Sequence, residues 1–162
     1  MEILDLYDND GKKLNKTIVR GETPGNNENI MLSLAFIKNN DKYLIQKSSK
    51  EKGGSYTSTG GHVTHGEDGY STIIRELSEE LGLGVSKDKI KYVTTFKYPN
   101  RFCLFNVYLI ENIDFDISKL SLQKEEVEKV MWLTKEEILE LIDDNLFLTS
   151  HAYIFKNYII KE

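Results

Sequence analysis

The 162-residue chain contains one cysteine, Cys103, so no disulfide can form within it. Nor does any stretch approach the roughly 20 consecutive apolar residues that a membrane-spanning helix needs. The opening MEILDLYDNDGKK has neither the basic n-region nor the apolar h-region of a signal peptide. These absences predict a cytoplasmic protein with no membrane partner. A basic excess is missing too. The net charge of -5 argues against sequence-independent binding of nucleic acid, which needs a basic face. A phosphorylated small substrate stays open, because a divalent cation can supply the positive charge in an acid-lined site. Repeats, low-complexity tracts and long linkers are also absent.

What is present suits one compact domain over residues 1–162. Aromatic and β-branched residues run throughout the chain, which excludes disorder. EILDLY, DNDG and KKLNKTIVR predict a β-hairpin turning on Asp10-Gly11, and GETPGNNEN (21–29) a loop. IMLSLAFIK (30–38) and KYLIQKSS (42–49) flank Asn39-Asn40-Asp41 as a second hairpin, and KEKGGSYTSTGG reads as irregular. Strands are expected at 90–98, 102–110 and 128–134, and helices at 135–144 and 150–160. FCLFNVYLI (102–110) is apolar enough to be buried on both faces. Strands mixed with helices imply an α/β sandwich.

From Asp68 to Leu81 the pattern is helical. Tyr70, Ile74, Leu77 and Leu81 form an apolar face, with Asp68 as N-cap and Gly82 just past the end. On the same helix, Glu76, Glu79 and Glu80 fall within roughly 100° of one another, beside the apolar stripe. Arg75 can pair with Glu79 one turn on. Acids in a helix's C-terminal half face the unfavourable end of its dipole, so local stability does not explain them. A charged helical run is ordinarily a solvated face. The alternative is a site for Mg²⁺ or Mn²⁺, which prefer carboxylate, carbonyl and water oxygens.

The surrounding segment decides between them. In GHVTHGEDGYSTIIRELSEELGL (61–83), Gly61 is followed after five residues by Glu67, and after seven more by Arg75-Glu76-Leu77-x-Glu79-Glu80-x-Gly82-Leu83. This arrangement is similar to the signature of the Nudix family without a gap. Chance would produce it with a probability on the order of 10⁻⁷, taking about 7% per required identity. The resemblance implies an α/β/α sandwich around a mixed sheet. It also implies hydrolysis of a diphosphate bond in a nucleoside diphosphate linked to another moiety, or in a nucleoside di- or triphosphate. Glu76, Glu79 and Glu80 would then hold Mg²⁺ or Mn²⁺, with the Gly61 carbonyl as a further ligand and Arg75 orienting a neighbouring glutamate. Such cations screen diphosphate charge and acidify water.

Other stretches resemble the family less closely. VEKVMWLTKEEI (127–138) is similar to its late strand and helix, and the N-terminal hairpin with Arg20-Gly21-Glu22 resembles the isopentenyl diphosphate isomerase branch. That isomerase uses a cysteine in the loop before the helix, where this chain reads STGGHV. An isomerase-like enzyme and a catalytically silent nucleotide-binding regulator are the alternatives to a hydrolase. QKEEVEK offers Glu125 and Glu126 as acids on an opposing loop, either as general base or as a solvated turn. Arg20, Lys47 and His62 are candidate phosphate contacts, and Tyr56 and Phe96 could stack on a base. Cys103, Trp132 and His151 read as packed structural residues, and His65 as an ordinary loop histidine. A monomer and a homodimer both fit.

Overall fold

The computed structural model describes residues 1–160. Alternation along IMLSLAFIK determines how the middle of the molecule is built. In β3 (Ile30–Asn39), Leu34 and Phe36 face one core while Ala35 and Ile37 face the other. β8 (Cys103–Glu111) runs parallel beside β3, with Ile30 opposite Cys103 and Lys38 opposite Glu111. It divides its residues likewise, Tyr108 and Ile110 against Phe105 and Val107. β7 (Ile90–Lys97) pairs antiparallel with β8 and closes that side of the sheet.

Helices cover both faces, so the architecture is an α/β/α sandwich around a mixed sheet. α1 (Gly69–Leu81) buries Ile73, Leu77 and Leu81 against Ala35, Ile37 and Ile110. The buried stripe therefore steps by four from Ile73, and the expected Tyr70 and Ile74 only flank it. The other face carries α2 (Lys135–Asp143) and α3 (Thr149–Ile154), through Ile138, Ile154 and Phe155. Among the described residues, no helix is long and apolar enough to cross a membrane. The helix expected at 150–160 continues beyond α3 as a π-helical turn, Phe155–Ile159.

The second hairpin forms only at its tip. Lys38 pairs with Tyr43 and Asn39 with Lys42 around a left-handed Asn40, and then the strands part. β4 (Lys42–Ser48) goes on to pair with β9 (Val127–Thr134) and with the short β5 (Tyr56–Thr57). The edge β3 would have shared with β4 is taken by β6 (Thr59–His62), with Ser33 opposite Gly61. The glycine-rich stretch expected to be irregular thus contains two strands. Its glycines let the chain lie close against β3, and the divergence of β3 from β4 opens the space that becomes the site.

The N-terminal hairpin, β1 (Ile3–Tyr7) and β2 (Lys13–Val19), is a separate two-stranded sheet. Its turn is held by the Asp8 carboxylate, which accepts from the Asp10 and Lys12 N–H groups, each at 2.9 Å. The buried Asp5 accepts from His65 Nδ1 (2.7 Å) and Gly66 N–H (3.1 Å), which fastens the hairpin to the loop before α1.

Candidate active site

Two local features end the acid-bearing helix where it must end. Asp68 caps the start by accepting from Ser71 N–H at 2.8 Å, in a reciprocal capping box. Gly82 adopts the left-handed conformation (φ 65°) that closes the last turn onto Ser78 O. Two of the carbonyls left over at this end are taken from outside. Ser121 N–H donates to Leu81 O at 3.0 Å and Gln123 N–H to Glu80 O at 2.8 Å. Those bonds bring the QKEE loop beside Glu80.

Arg75 organises the acids. Its Nε and Nη2 donate to both oxygens of Glu67, at 2.7 and 3.0 Å. Its Nη1 reaches Glu76 Oε1 at 2.9 Å, and Nη2 also donates to His62 O at 3.2 Å. The expected partner Glu79 lies farther off, at 3.4 Å. Arg75 thus keeps the expected pair with Glu79 through Nη1, while Nε and Nη2 make the shorter, two-pronged fit to Glu67. Glu67 also accepts from Thr64 N–H, Thr64 Oγ1 and Thr72 Oγ1. Burial opposes ionisation, but the Arg75 and Thr64 hydrogen bonds outweigh it and hold the Glu67 carboxyl at about 2. The same contacts push Arg75 up, so this pair is permanently charged.

Glu76 and Glu80 behave oppositely. Burial raises both, opposed at Glu76 by Arg75. Glu80 is pushed up to about 8 by burial, with the Glu76 and Glu126 charges adding to it. Its Oε1 is buried without a hydrogen-bond partner. Gly61 lies against Glu76, where a Cβ on residue 61 would overlap the Glu76 carboxylate. A glycine is required there so that the acid can seat on the β6 backbone.

These groups line a cavity of about 480 Å³ in the cleft between β3 and β4. Gly61, His62, Arg75, Glu76, Glu79 and Glu80 all line it, as do Glu126 and Arg20. Arg20 is paired with Glu2 at 2.6 Å. Burial, with the nearby Arg20 charge, pushes the His62 imidazole down, so it is neutral. Glu126 faces Lys52 at 3.4 Å.

Four candidates lie outside the lining. Lys47 pairs with Glu128 at 3.4 Å. Glu125 is exposed, and its carbonyl accepts from Ser49 Oγ at 2.8 Å. Tyr56 packs with Met131 and Leu133, and Phe96 stacks on Phe105 with ring centroids 5.8 Å apart. Apolar contact claimed both rings. Trp132 packs on Phe115 against the α1-side core, and Cys103 is half-buried away from the cavity. Conversely, Gln46, Lys52, Thr57, Ser58 and His151 do line the cavity. No spacing in the sequence marked them, because they come from separate elements.

Two neighbouring half-buried carboxylates, Glu76 and Glu80, one with an oxygen that lacks a hydrogen-bond partner, fit a hard divalent cation, which would offset charges that burial otherwise disfavours. Among the described residues, no three acidic, His or Cys side chains converge as a finished cage. Glu79 is turned toward Arg75 and would have to swing inward to join Glu76 and Glu80.

The site thus sets the acids of α1 against a cleft in an α/β/α sandwich. The family model for the NUDIX domain matches residues 32–153, so the chain belongs to the Nudix family and is a pyrophosphohydrolase. It is 29% identical to an uncharacterized Nudix hydrolase of Listeria monocytogenes, over 98% of this chain and 94% of that one. The crystal structure of DR0079 from Deinococcus radiodurans superposes with a TM-score of 0.76 at 20% identity, covering 96% and 98% of the two chains. A bifunctional NMN adenylyltransferase/ADP ribose pyrophosphatase from Francisella tularensis, complexed with AMP and a Mn ion, gives a TM-score of 0.66 at 19% identity. That match covers 84% of this chain and 41% of the Francisella chain.

Proposed function

We propose that the protein is a cytoplasmic, divalent-cation-dependent hydrolase of a diphosphate bond in a nucleotide derivative. The observation that carries this is the half-buried Glu76–Glu80 pair, which lines the cavity and leaves Glu80 Oε1 without a hydrogen-bond partner. Glu76, Glu79 and Glu80 would hold Mg²⁺ or Mn²⁺, with the Gly61 carbonyl as a further donor. When bound, the cation supplies charge screening for the diphosphate and lowers the pKa of water.

The chain's own groups do the rest. Arg75, fixed by Glu67, holds Glu76 in place. Arg20 and His62 meet the substrate at the rim. Water forms the new P–O bond, the bridging oxygen leaves with its electron pair on the departing phosphate, and a carboxylate accepts the proton from water. Glu126 suits that role better than the helix acids, since a carboxylate engaged with a cation is a poor proton acceptor. Glu125, turned away from the cavity, suits it less. The isomerase alternative loses support because Cys103 does not line the cavity.

The test is a panel of nucleoside di- and triphosphates, nucleotide sugars, dinucleotides and isopentenyl diphosphate, assayed with Mg²⁺, with Mn²⁺ and with excess chelator. Cation-dependent release of phosphorylated products is expected. Glu126→Gln should lower kcat by about 10²–10⁴-fold, with partial recovery at high pH. Chelator-resistant turnover, or isomerisation without cleavage, would sink the reading.

A further inference from the structure

The cavity lining also contains a histidine that the hydrolytic chemistry does not use. His151, on α3, is 7% exposed and lines the cavity. Its Nδ1 lies 2.7 Å from Thr57 Oγ1 and 2.7 Å from Ser58 Oγ, residues more than 90 positions earlier in the chain. Counting protons settles the tautomer. Ser58 Oγ is buried, and His151 Nδ1 is its one partner among the described residues. If Nδ1 carried a hydrogen, the Ser58 hydroxyl proton would have no acceptor. With Nδ1 as acceptor, the Ser58 proton is satisfied and Thr57 can donate to Ser58 O at 3.1 Å. The ring hydrogen therefore sits on Nε2. Among the described residues the hydrogen bonds of His151 are made at Nδ1, none pairs with Nε2, and the residue lines the cavity.

Three apolar side chains, Leu32, Phe105 and Leu148, share this mostly polar lining with His151. Leu32 and Phe105 are neighbours across the β3–β8 pair, Phe105 meets the imidazole at 87°, and Leu148 begins the turn that leads into His151. Burial pushes the imidazole down to about 4, so the ring is neutral at physiological pH. A neutral imidazole N–H is far too weak an acid to protonate a leaving phosphate, and a ring with its acceptor nitrogen occupied is no base. What remains is recognition.

We propose that His151 is a specificity-determining residue: its Nε2–H donates to an in-plane acceptor, a carbonyl oxygen or ring nitrogen, on the flat heteroaromatic group of the substrate. This rests on the reading of the cavity as a diphosphate-hydrolase site. A purely hydrocarbon group in the same place would strand the buried N–H without a partner, so the lining selects against prenyl diphosphates. Thr57 and Ser58 act through His151 as positioning residues that fix its tautomer.

Calorimetric titration with AMP, CMP, GMP and UMP, against ribose 5-phosphate as the base-free control, reads this contact in Mg²⁺ buffer. The wild type should bind at least one nucleotide about tenfold more tightly than ribose 5-phosphate. His151→Ala should reduce that gap to about twofold or less, leaving ribose 5-phosphate unchanged. His151→Gln, which keeps a neutral N–H donor, should restore most of it. If the alanine variant does not fold, His151→Phe keeps the ring volume and removes the donor. On any diphosphate the wild type cleaves, the same variants should raise KM with kcat nearly constant. No preference in the wild type, or equal weakening of nucleotide and ribose 5-phosphate, would overturn the proposal. If no diphosphate in the panel is cleaved, the hydrolase reading fails, while the titrations still judge His151.

Discussion

Replacing Glu67 by Gln tests the clamp on which the site is built. The wild-type carboxylate receives two hydrogen bonds from Arg75 and three from Thr64 and Thr72. Glutamine keeps the shape but turns an NH₂ toward one prong of the guanidinium, donor against donor. The carboxyl falls from 4.5 to about 2 on folding, and each pKa unit corresponds to about 1.4 kcal/mol, giving a ceiling of about 3.4 kcal/mol. The side chain is 19% exposed, so solvent screening brings the expected loss to about 2–3 kcal/mol at pH 7. For a chain of this size that is a fall in Tm of roughly 5–10 °C.

The pH dependence follows from the direction of the shift. Because folding depresses this pKa, the stabilisation is complete above pH 4.5 and is lost as pH falls toward about 2. At pH 3.5 roughly 1.4 kcal/mol of the ceiling is gone. Other groups titrate in that range in both proteins, so the difference between wild type and variant isolates Glu67. Urea denaturation at pH 7, 4.5 and 3.5 measures it, with an unchanged m-value indicating that the transition itself is the same. A difference below about 0.5 kcal/mol at pH 7, or one that stays constant down to pH 3.5, would refute the clamp; the first figure is the scale of ordinary surface substitutions.

Two further substitutions probe the acids themselves. Glu80→Gln removes an acid whose ionisation is disfavoured in the fold by burial and by Glu76, so in excess chelator at pH 7 it should stabilise the fold by about 1–2 kcal/mol while lowering kcat by about 10²-fold or more. Denaturation in chelator and steady-state kinetics check both halves, and a loss of stability would contradict the burial argument. Gly61→Ala puts a methyl into the Glu76 carboxylate; displacement of that acid should cost about 10²-fold in kcat, with about 1–3 kcal/mol of stability. Full turnover in this variant would show that glycine is not required by that contact.

Much of α1 was legible in the sequence because its determinants are local. Asp68 and Ser71 cap each other three residues apart, Gly82 takes the left-handed turn, and the 3.6-residue period places Glu76, Glu79 and Glu80 on one arc. The Nudix resemblance rests on that same contiguous stretch, 61–83, and the family match extends it to 32–153. Strand positions were also recoverable, since alternation is a property of neighbouring residues.

Pairing and burial were decided elsewhere. Whether β4 stays on β3 depends on β6 and β9, which compete for those edges from 24–30 and 79–92 residues away, and a hairpin signal cannot weigh such competitors. Arg75 keeps its i+4 contact with Glu79, but its shortest and two-pronged contact is with Glu67, because the turn from β6 brings both its oxygens onto the guanidinium fork. Glu79 and Glu80 are adjacent in sequence, but Glu79 is exposed whereas Glu80 is half-buried where the loop at Gln123 meets the end of α1, and burial pushes Glu80 up to about 8. Tyr56 and Phe96 carry rings fit for stacking, and the α2–α3 side of the sheet took both into its core. His151 meets Thr57 and Ser58 only when α3 docks against β5 and the start of β6. Desolvation and hydrogen-bond partners are properties of what folds over a residue, so its chemistry is set when the tertiary structure closes.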